Sequence, residues 1–200
     1  MTNARQEARQ TARQERQARI DSMWKGSFIG FYIGGSGNIQ PPGGLFEFGI
    51  EGGGKWLVID GCFGVGGGSL KVDDKMVEEK LGPNYWGKPY IFNARIGAAI
   101  PINLERARLN IGGGFEMLVI DVTNNDKDED GKKKSGAIDR LLIPYVGARL
   151  DFALSQRGGV LGFIGYNCEF TPADKMEIYF GEPVSLRHTI LAGFVFRGRF

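Results

Sequence analysis

Two hundred residues make about one domain, and 25 basic against 23 acidic side chains leave a formal charge of +2, without the concentrated basic face of a nucleic-acid binder. Glycine is the outlier at 32 residues, roughly twice the usual ~7%, yet there is no Gly-X-Y period and proline is ordinary, which excludes collagen and a disordered Pro/Gly tract. Cys62 and Cys168 lack a C-x-x-C spacing, so zinc and thioredoxin-like readings fall away and a disulfide between them stays open but unforced.

No window of ~18 apolar residues exists, which excludes a membrane-spanning helix. Barrel strands need only ~9–11 residues each and leave a weak hydropathy signal, so a membrane protein is not excluded. There is no apolar signal-peptide core at the amino terminus either. An exported protein of this sequence is therefore expected to be a mature or recombinant form with Met1 in place of a leader.

The chain divides into a polar helical segment, 1–24, and a barrel, 25–200. In the first, Ala4-Arg5-Gln6, Ala8-Arg9-Gln10 and Ala12-Arg13-Gln14 repeat every four residues with Glu7 and Glu15 between arginines. These are mostly helix-favouring residues, but before Ile20 alanine is the only apolar type, so no stripe can be buried. The pattern predicts a solvated helix outside the barrel, since charge runs are mostly solvated faces. A basic arm touching anionic lipid or cell-wall polymer is the functional alternative.

From Ser27 onward, period-2 segments with Gly-rich turns take over, the pattern of an all-β fold. Eight strands are predicted at 27–35, 46–51, 56–66, 89–101, 106–122, 138–154, 160–170 and 187–200. By these boundaries long and short connections alternate strictly, the short ones being 52–55, 102–105 and 155–159. Antiparallel outer-membrane barrels have this rhythm, with short periplasmic turns and longer outer loops. An even strand count then puts both chain ends on the periplasmic side.

Each strand has one apolar and one charged face. In 106–122, Leu109, Ile111, Phe115 and Met117 oppose Arg106, Arg108, Asn110 and Glu116; in 89–101, Phe92, Ile96 and Ile100 oppose Asn93 and Arg95. A soluble barrel would put the apolar set inside, and the periodicity alone is the same. Glycine placement decides: Gly49, Gly64, Gly97, Gly112, Gly114, Gly147, Gly165 and Gly193 share the charged face. An eight-stranded barrel is only just wide enough for side chains, so long residues crossing it need glycine opposite them.

The charged face is therefore predicted to line the lumen. Its network comprises Glu47, Asp60, Arg95, Arg108, Glu116, Arg149, Asp151, Glu169 and Arg197, joined by Glu51, Arg106, Arg187 and Arg199. Arginine, not lysine, supplies every cation, as suits bidentate pairing with carboxylates. A solid salt-bridged plug with ordered water is expected, with the pairs Arg106/Arg108 and Arg197/Arg199 near the periplasmic mouth. Trp24, Trp56, Tyr85, Trp86, Tyr90 and Tyr179 fall near strand ends, where interfacial aromatic girdles lie.

Other motifs read as structural. Asp126-Lys127-Asp128-Glu129-Asp130-Gly131 matches the first half of a calcium loop, but Ala137 stands where the bidentate Glu belongs and three lysines follow, so a solvated loop is expected. His188, the only histidine, falls on the lipid-facing set near the outer rim, with no motif linking it to Ser185 and an acid as a triad requires. The run from Gly64 to Ser69 lacks the Gly-Lys-Ser/Thr of a phosphate loop. No catalytic, cofactor or metal site is expected.

The last strand, Arg187 to Phe200, alternates Ile190, Ala192, Phe194, Phe196 against Arg187, Arg197 and Arg199 and stops on an aromatic. With the strand count, loop rhythm and face segregation of residues 27–200, this resembles the small eight-stranded bacterial outer-membrane barrels, such as the OmpA transmembrane domain, OmpX and OmpW-like proteins. The resemblance implies an up-and-down transmembrane β-barrel in the outer membrane of Gram-negative bacteria. It would be a monomer contacting outer-membrane lipid, recognised by the barrel-assembly machinery through the strand ending in Phe200. It further implies a non-enzymatic envelope component whose loops at 67–88, 123–137 and 171–186 contact outside partners. The OmpW-like alternative is a narrow channel for small or hydrophobic solutes.

Overall fold

The structure, a computed structural model, describes residues 2–39, 42–68, 70–72, 74–82, 89–127, 133–155, 159–181 and 183–200. A polar helix, α1 (Thr2–Trp24), precedes strands β1 (Phe28–Asn38), β2 (Gly43–Gly53) and β3 (Val58–Gly68). Helix α2 (Asp74–Leu81) then leads to β4 (Pro89–Asn103), β5 (Ala107–Lys127), β6 (Lys133–Ala153) and β7 (Val160–Phe170), and α3 (Ala173–Phe180) leads to β8 (Leu186–Arg199). Each strand pairs antiparallel with its sequence neighbour, and β1 pairs with β8 from Phe28↔Arg199 to Asn38↔Thr189, closing the barrel. Closure gives every strand a partner on both sides, the condition for crossing a bilayer with strands, and leaves the extension of β6 before Tyr145 without a β7 partner among the described residues.

The two faces separate as charge demands. Phe31, Phe48, Ile59, Phe92, Ile96, Ile111, Phe115, Leu142, Ile164 and Phe194 are exposed on the barrel exterior, while Glu47, Arg95, Glu116, Asp151, Glu169 and Arg187 are buried within it. Glycine makes the room. A Cβ on Gly49 would lie 2.6 Å from the Tyr32 ring, one on Gly97 would meet the Tyr145 hydroxyl, and one on Gly64 would meet the Asn93 amide oxygen.

The connections depart from a strict long-short alternation. On the outer side β1 ends at Asn38 and β2 begins at Gly43, and the glycine-rich ends pair fully, Gly35 with Phe46 and Gly37 with Gly44. β5 and β6 likewise continue as a hairpin beyond the lipid-facing residues, with Val122↔Gly136 and Thr123↔Ser135 paired past an irregularity at Ile120/Asp121. Backbone ladders need no apolar alternation, so polar and glycine residues extend strands that hydrophobic periodicity ends early. At 21 residues each, β5 and β6 run roughly 70 Å along the strand at ~3.3 Å per residue, or about 50 Å in height at a ~40° barrel tilt, well over a ~30 Å hydrocarbon core.

Cys62 points inward and is buried, Cys168 faces outward, and both thiols are free. α1 has exposed side chains from Gln6 to Glu15, and no helix is long and apolar enough to cross a membrane among the described residues.

Gly49→Leu is expected to prevent closure of the barrel, because Tyr32 and the Gly61 carbonyl occupy the space it needs, whereas Gly67→Leu, with nothing within 4 Å, is expected to fold. Refolding into detergent, followed by a heat-dependent gel shift, distinguishes the two.

Candidate functional site: the lumen and its closures

Among the described residues, three ionic clusters occupy the lumen. In the outermost, Arg187 bonds both Glu169 and Glu116, the second at 2.7 Å. In the middle one, Arg95 donates to Glu47 at 3.0 Å and lies over the Tyr145 ring, while Ser36 donates to the same carboxylate at 2.8 Å. Asn93 joins these two clusters, its amide donating to Glu116 at 2.9 Å and to Glu47 at 3.3 Å. In the innermost, Glu51 and Asp151 share Arg149 and Arg197, with Arg197 at 2.6 Å from Glu51 and 3.0 Å from Asp151, and Asn110 donates to Asp151 at 2.9 Å. Isolated, any of these ions would carry a desolvation cost of several kcal/mol. Sharing each ion among two or three partners offsets it.

Between the middle and inner clusters lies a cavity of about 60 Å³ lined by Tyr32, Asp60, Arg95, Asn110, Tyr145, Arg149 and Asn167. The Tyr32 hydroxyl and Asn110 Oδ1 have no partner among the described residues, so ordered water is the natural occupant.

The end of the barrel that carries both chain termini is shut by cation–π stacking. Trp24, the last residue of α1, is only 3% exposed and donates its indole N–H to the Leu104 carbonyl at 2.9 Å. Arg108 lies 4.5 Å from the Trp24 ring centre, and Arg197 lies 4.1 Å from that of Phe28. Desolvated contacts of this kind are worth up to ~2 kcal/mol each.

The outer end is shut by hydrocarbon. The inward faces of β5 and β6 turn apolar there, as Leu118, Ile120, Val122, Leu141 and Ile143, and these pack with Val77 of α2 and Met176, Tyr179 and Phe180 of α3. α3 starts after Pro172 and stops at Gly181, whose φ of 77° is left-handed and whose N–H caps the Glu177 carbonyl. A polar clamp holds the lid: Tyr179 and Lys175 donate to Asp139, the lysine at 3.1 Å, and Lys80 of α2 donates to the Tyr179 hydroxyl at 2.9 Å. Asp139 lies beyond Leu142, where the exposed apolar residues of β6 end. Burial pushes its carboxyl up, but the hydrogen bonds from Tyr179, the Arg140 N–H and Lys175 prevail and hold it at about 2.

Of the residues expected in the lumen network, Glu47, Arg95, Glu116, Arg149, Asp151, Glu169 and Arg197 are in the three clusters, together with Glu51 and Arg187. Arg108 is 1% exposed and stacks at the periplasmic closure, its Nε donating to Asn103 at 2.9 Å. Asp60 borders the cavity and enters no ion pair among the described residues. Arg106 precedes β5 in the turn and is exposed, and Arg199, at the end of β8, is exposed at the mouth beside Trp24, Arg108 and Arg197.

The aromatic girdle needs correction too. Trp24 and Tyr179 are closure residues, buried at opposite ends; Trp56 is 77% exposed and Tyr90 half-buried, and Tyr85 and Trp86 lie outside the described residues. Of the acidic loop, Asp128, Glu129, Asp130 and Gly131 lie outside them as well. His188 is on the exterior, its Nδ1 2.5 Å from the Tyr166 hydroxyl and its ring stacked on that tyrosine.

Set beside solved structures, the chain is similar to the N-terminal β-barrel domain of Pseudomonas aeruginosa OprF, with a TM-score of 0.53 and 10% identity over 87% of this chain and 98% of that one. It is similar to Neisserial surface protein A with a TM-score of 0.51 and 10% identity, over 87% and 96%. The chain has the fold of the eight-stranded outer-membrane β-barrels. No known protein-family profile and no curated protein matches the sequence.

Arg95→Met is expected to destabilise the barrel by about 3–5 kcal/mol, because it strands Glu47 in the lumen, and the double variant Arg95→Met/Glu47→Leu by much less. Chemical unfolding in detergent measures both. For the lid, a carboxyl held below its unfolded value of 3.8 contributes stability that is full above pH ~4 and lost as pH falls toward 2. Amide exchange in α3 is therefore expected to accelerate over that window, and Asp139→Asn to abolish this pH dependence.

Proposed function

We propose that the chain is a non-enzymatic component of the bacterial outer membrane, a closed barrel that contacts lipid over its exterior and presents α2 and α3 at the cell surface. One observation carries this reading: the lumen is filled along its length, by paired ions in the middle, by Trp24 and Phe28 beneath and by an apolar lid above. A conducting pore needs a continuous wet path, and a 60 Å³ cavity bounded by ion pairs is not one. The similarity in fold to two outer-membrane barrels supports the location, and face segregation supports lipid contact. For catalysis, the only histidine faces outward against Tyr166, away from the lumen carboxylates.

In planar bilayers the protein, and the variants Arg95→Ala and Glu116→Ala, are expected to show no discrete conductance steps, because each substitution leaves two ionic clusters and both closures in place. Steps in the unaltered protein whose size changes with Glu116→Ala would overturn this reading in favour of a narrow channel.

A further inference from the structure

The exterior is not uniformly covered by large side chains. Near the periplasmic end, outward-facing glycines interrupt it, among them Gly61, which sits between Ile50 of β2 and Ile96 of β4, and Gly52, between Ile29 of β1 and Ile59 of β3. The register thus sinks a dent of about 820 Å³ between four isoleucines, with Ser27, Lys55 and Trp56 at its rim. That volume falls within the ~300–1,000 Å³ typical of ligand pockets. Neither glycine is dictated by its backbone or its neighbours. Both have ordinary strand φ, and a Cβ on either would make only a 3.6 Å contact with a carbonyl oxygen. The inward glycines are needed for closure; these two are free to be larger and are not.

The rim carries charge that the barrel does not neutralise. Lys55 lies 5.2 Å from the Trp56 ring centre and enters no ion pair among the described residues. Lys25, also exposed, lies two residues before Ser27 of the rim. A second exterior dent of similar size, lined by Ile33, Gly35, Phe46, Phe152 and Gly162, has no cation on its lining.

We propose that the dent at Gly52 and Gly61 is a binding site for an anionic phospholipid of the periplasmic leaflet, with one acyl chain between the isoleucines and the phosphate at Lys55 and Lys25. This rests on the outer-membrane reading, which places hydrocarbon against Ile50, Ile59 and Ile96 and headgroups at the short turn 54–57. Trp56, amphipathic and exposed, marks the boundary between them. Spare lysines at a membrane surface attract anionic lipid, and the glycine dent adds a shape that an acyl chain can enter and a flat wall cannot offer.

The test is electron paramagnetic resonance of the barrel in phosphatidylcholine vesicles doped with spin-labelled phosphatidylglycerol or spin-labelled phosphatidylcholine. The motionally restricted fraction is expected to favour phosphatidylglycerol by about fivefold, and Gly61→Leu and the pair Lys25→Ala/Lys55→Ala each to reduce the preference to about one. Gly162→Leu, in the uncharged dent, is expected to leave it unchanged. A preference lost with the lysines but kept in Gly61→Leu overturns the acyl-chain seat, and a preference surviving both changes overturns the site. Restriction of neither lipid by a protein that still shows the gel shift would instead overturn the outer-membrane reading.

Discussion

Hydrocarbon cannot solvate an ion, and that constraint organises the whole molecule. On the outer-membrane reading proposed above, the acids and arginines of the mid-strand positions must enter a lumen barely wide enough for side chains. Arginines that cross such a space need neighbours without side chains. A Cβ on Gly30 would come within 3.2 Å of both the Arg197 and Glu51 side chains, and one on Gly64 within 3.0 Å of Glu47. The glycine excess and the arginine-only cation set are two consequences of one packing problem.

The two closures solve different problems with different chemistry. At the periplasmic end a helix arrives from outside, and its last side chain, Trp24, fills the mouth while its indole N–H finds the Leu104 carbonyl. Arg108, which enters no ion pair among the described residues, gains the Trp24 face, and Arg197 adds the Phe28 face to its two carboxylates. At the outer end the strands extend beyond the bilayer, so their inward faces are free to become apolar, and α2 and α3 fold down on them. The polar clamp at Asp139 then orients a lid whose attraction is otherwise non-directional. The lumen thus has an ionic middle between an aromatic closure and an apolar one.

Much of this was legible in the sequence, for a physical reason: period-2 alternation in strands such as β4 and β8 reports a face assignment directly, and mid-strand glycines on the charged face report which side is crowded. β7 falls at 160–170 as the pattern predicts. The illegible parts are those where alternation stops carrying information. β2 extends from Gly43 to Gly53 because glycine pairs as well as any residue but contributes no pattern. At the outer ends of β5 and β6 both faces are apolar, Leu118 and Ile120 inward with Met117 outward, so the alternation vanishes where the lid begins. A signal for that lid was present: Met176, Tyr179 and Phe180 recur at helical spacing between Pro172 and Gly181. Trp24 and Tyr179 show the limit of position near a strand end as evidence, since a ring there can turn into the mouth as readily as toward the headgroups.

The sidedness of the wall is testable residue by residue along β8. In a Cys62→Ala/Cys168→Ala background, nitroxide labels at positions 194 to 196 in lipid vesicles report collision with oxygen, which concentrates in hydrocarbon. Labels at Phe194 and Phe196 are expected to show high oxygen accessibility, and that at Val195 low. The opposite alternation, with Phe194 shielded and the arginine-bearing face open, would contradict the inward placement of charge and leave a soluble barrel in its place.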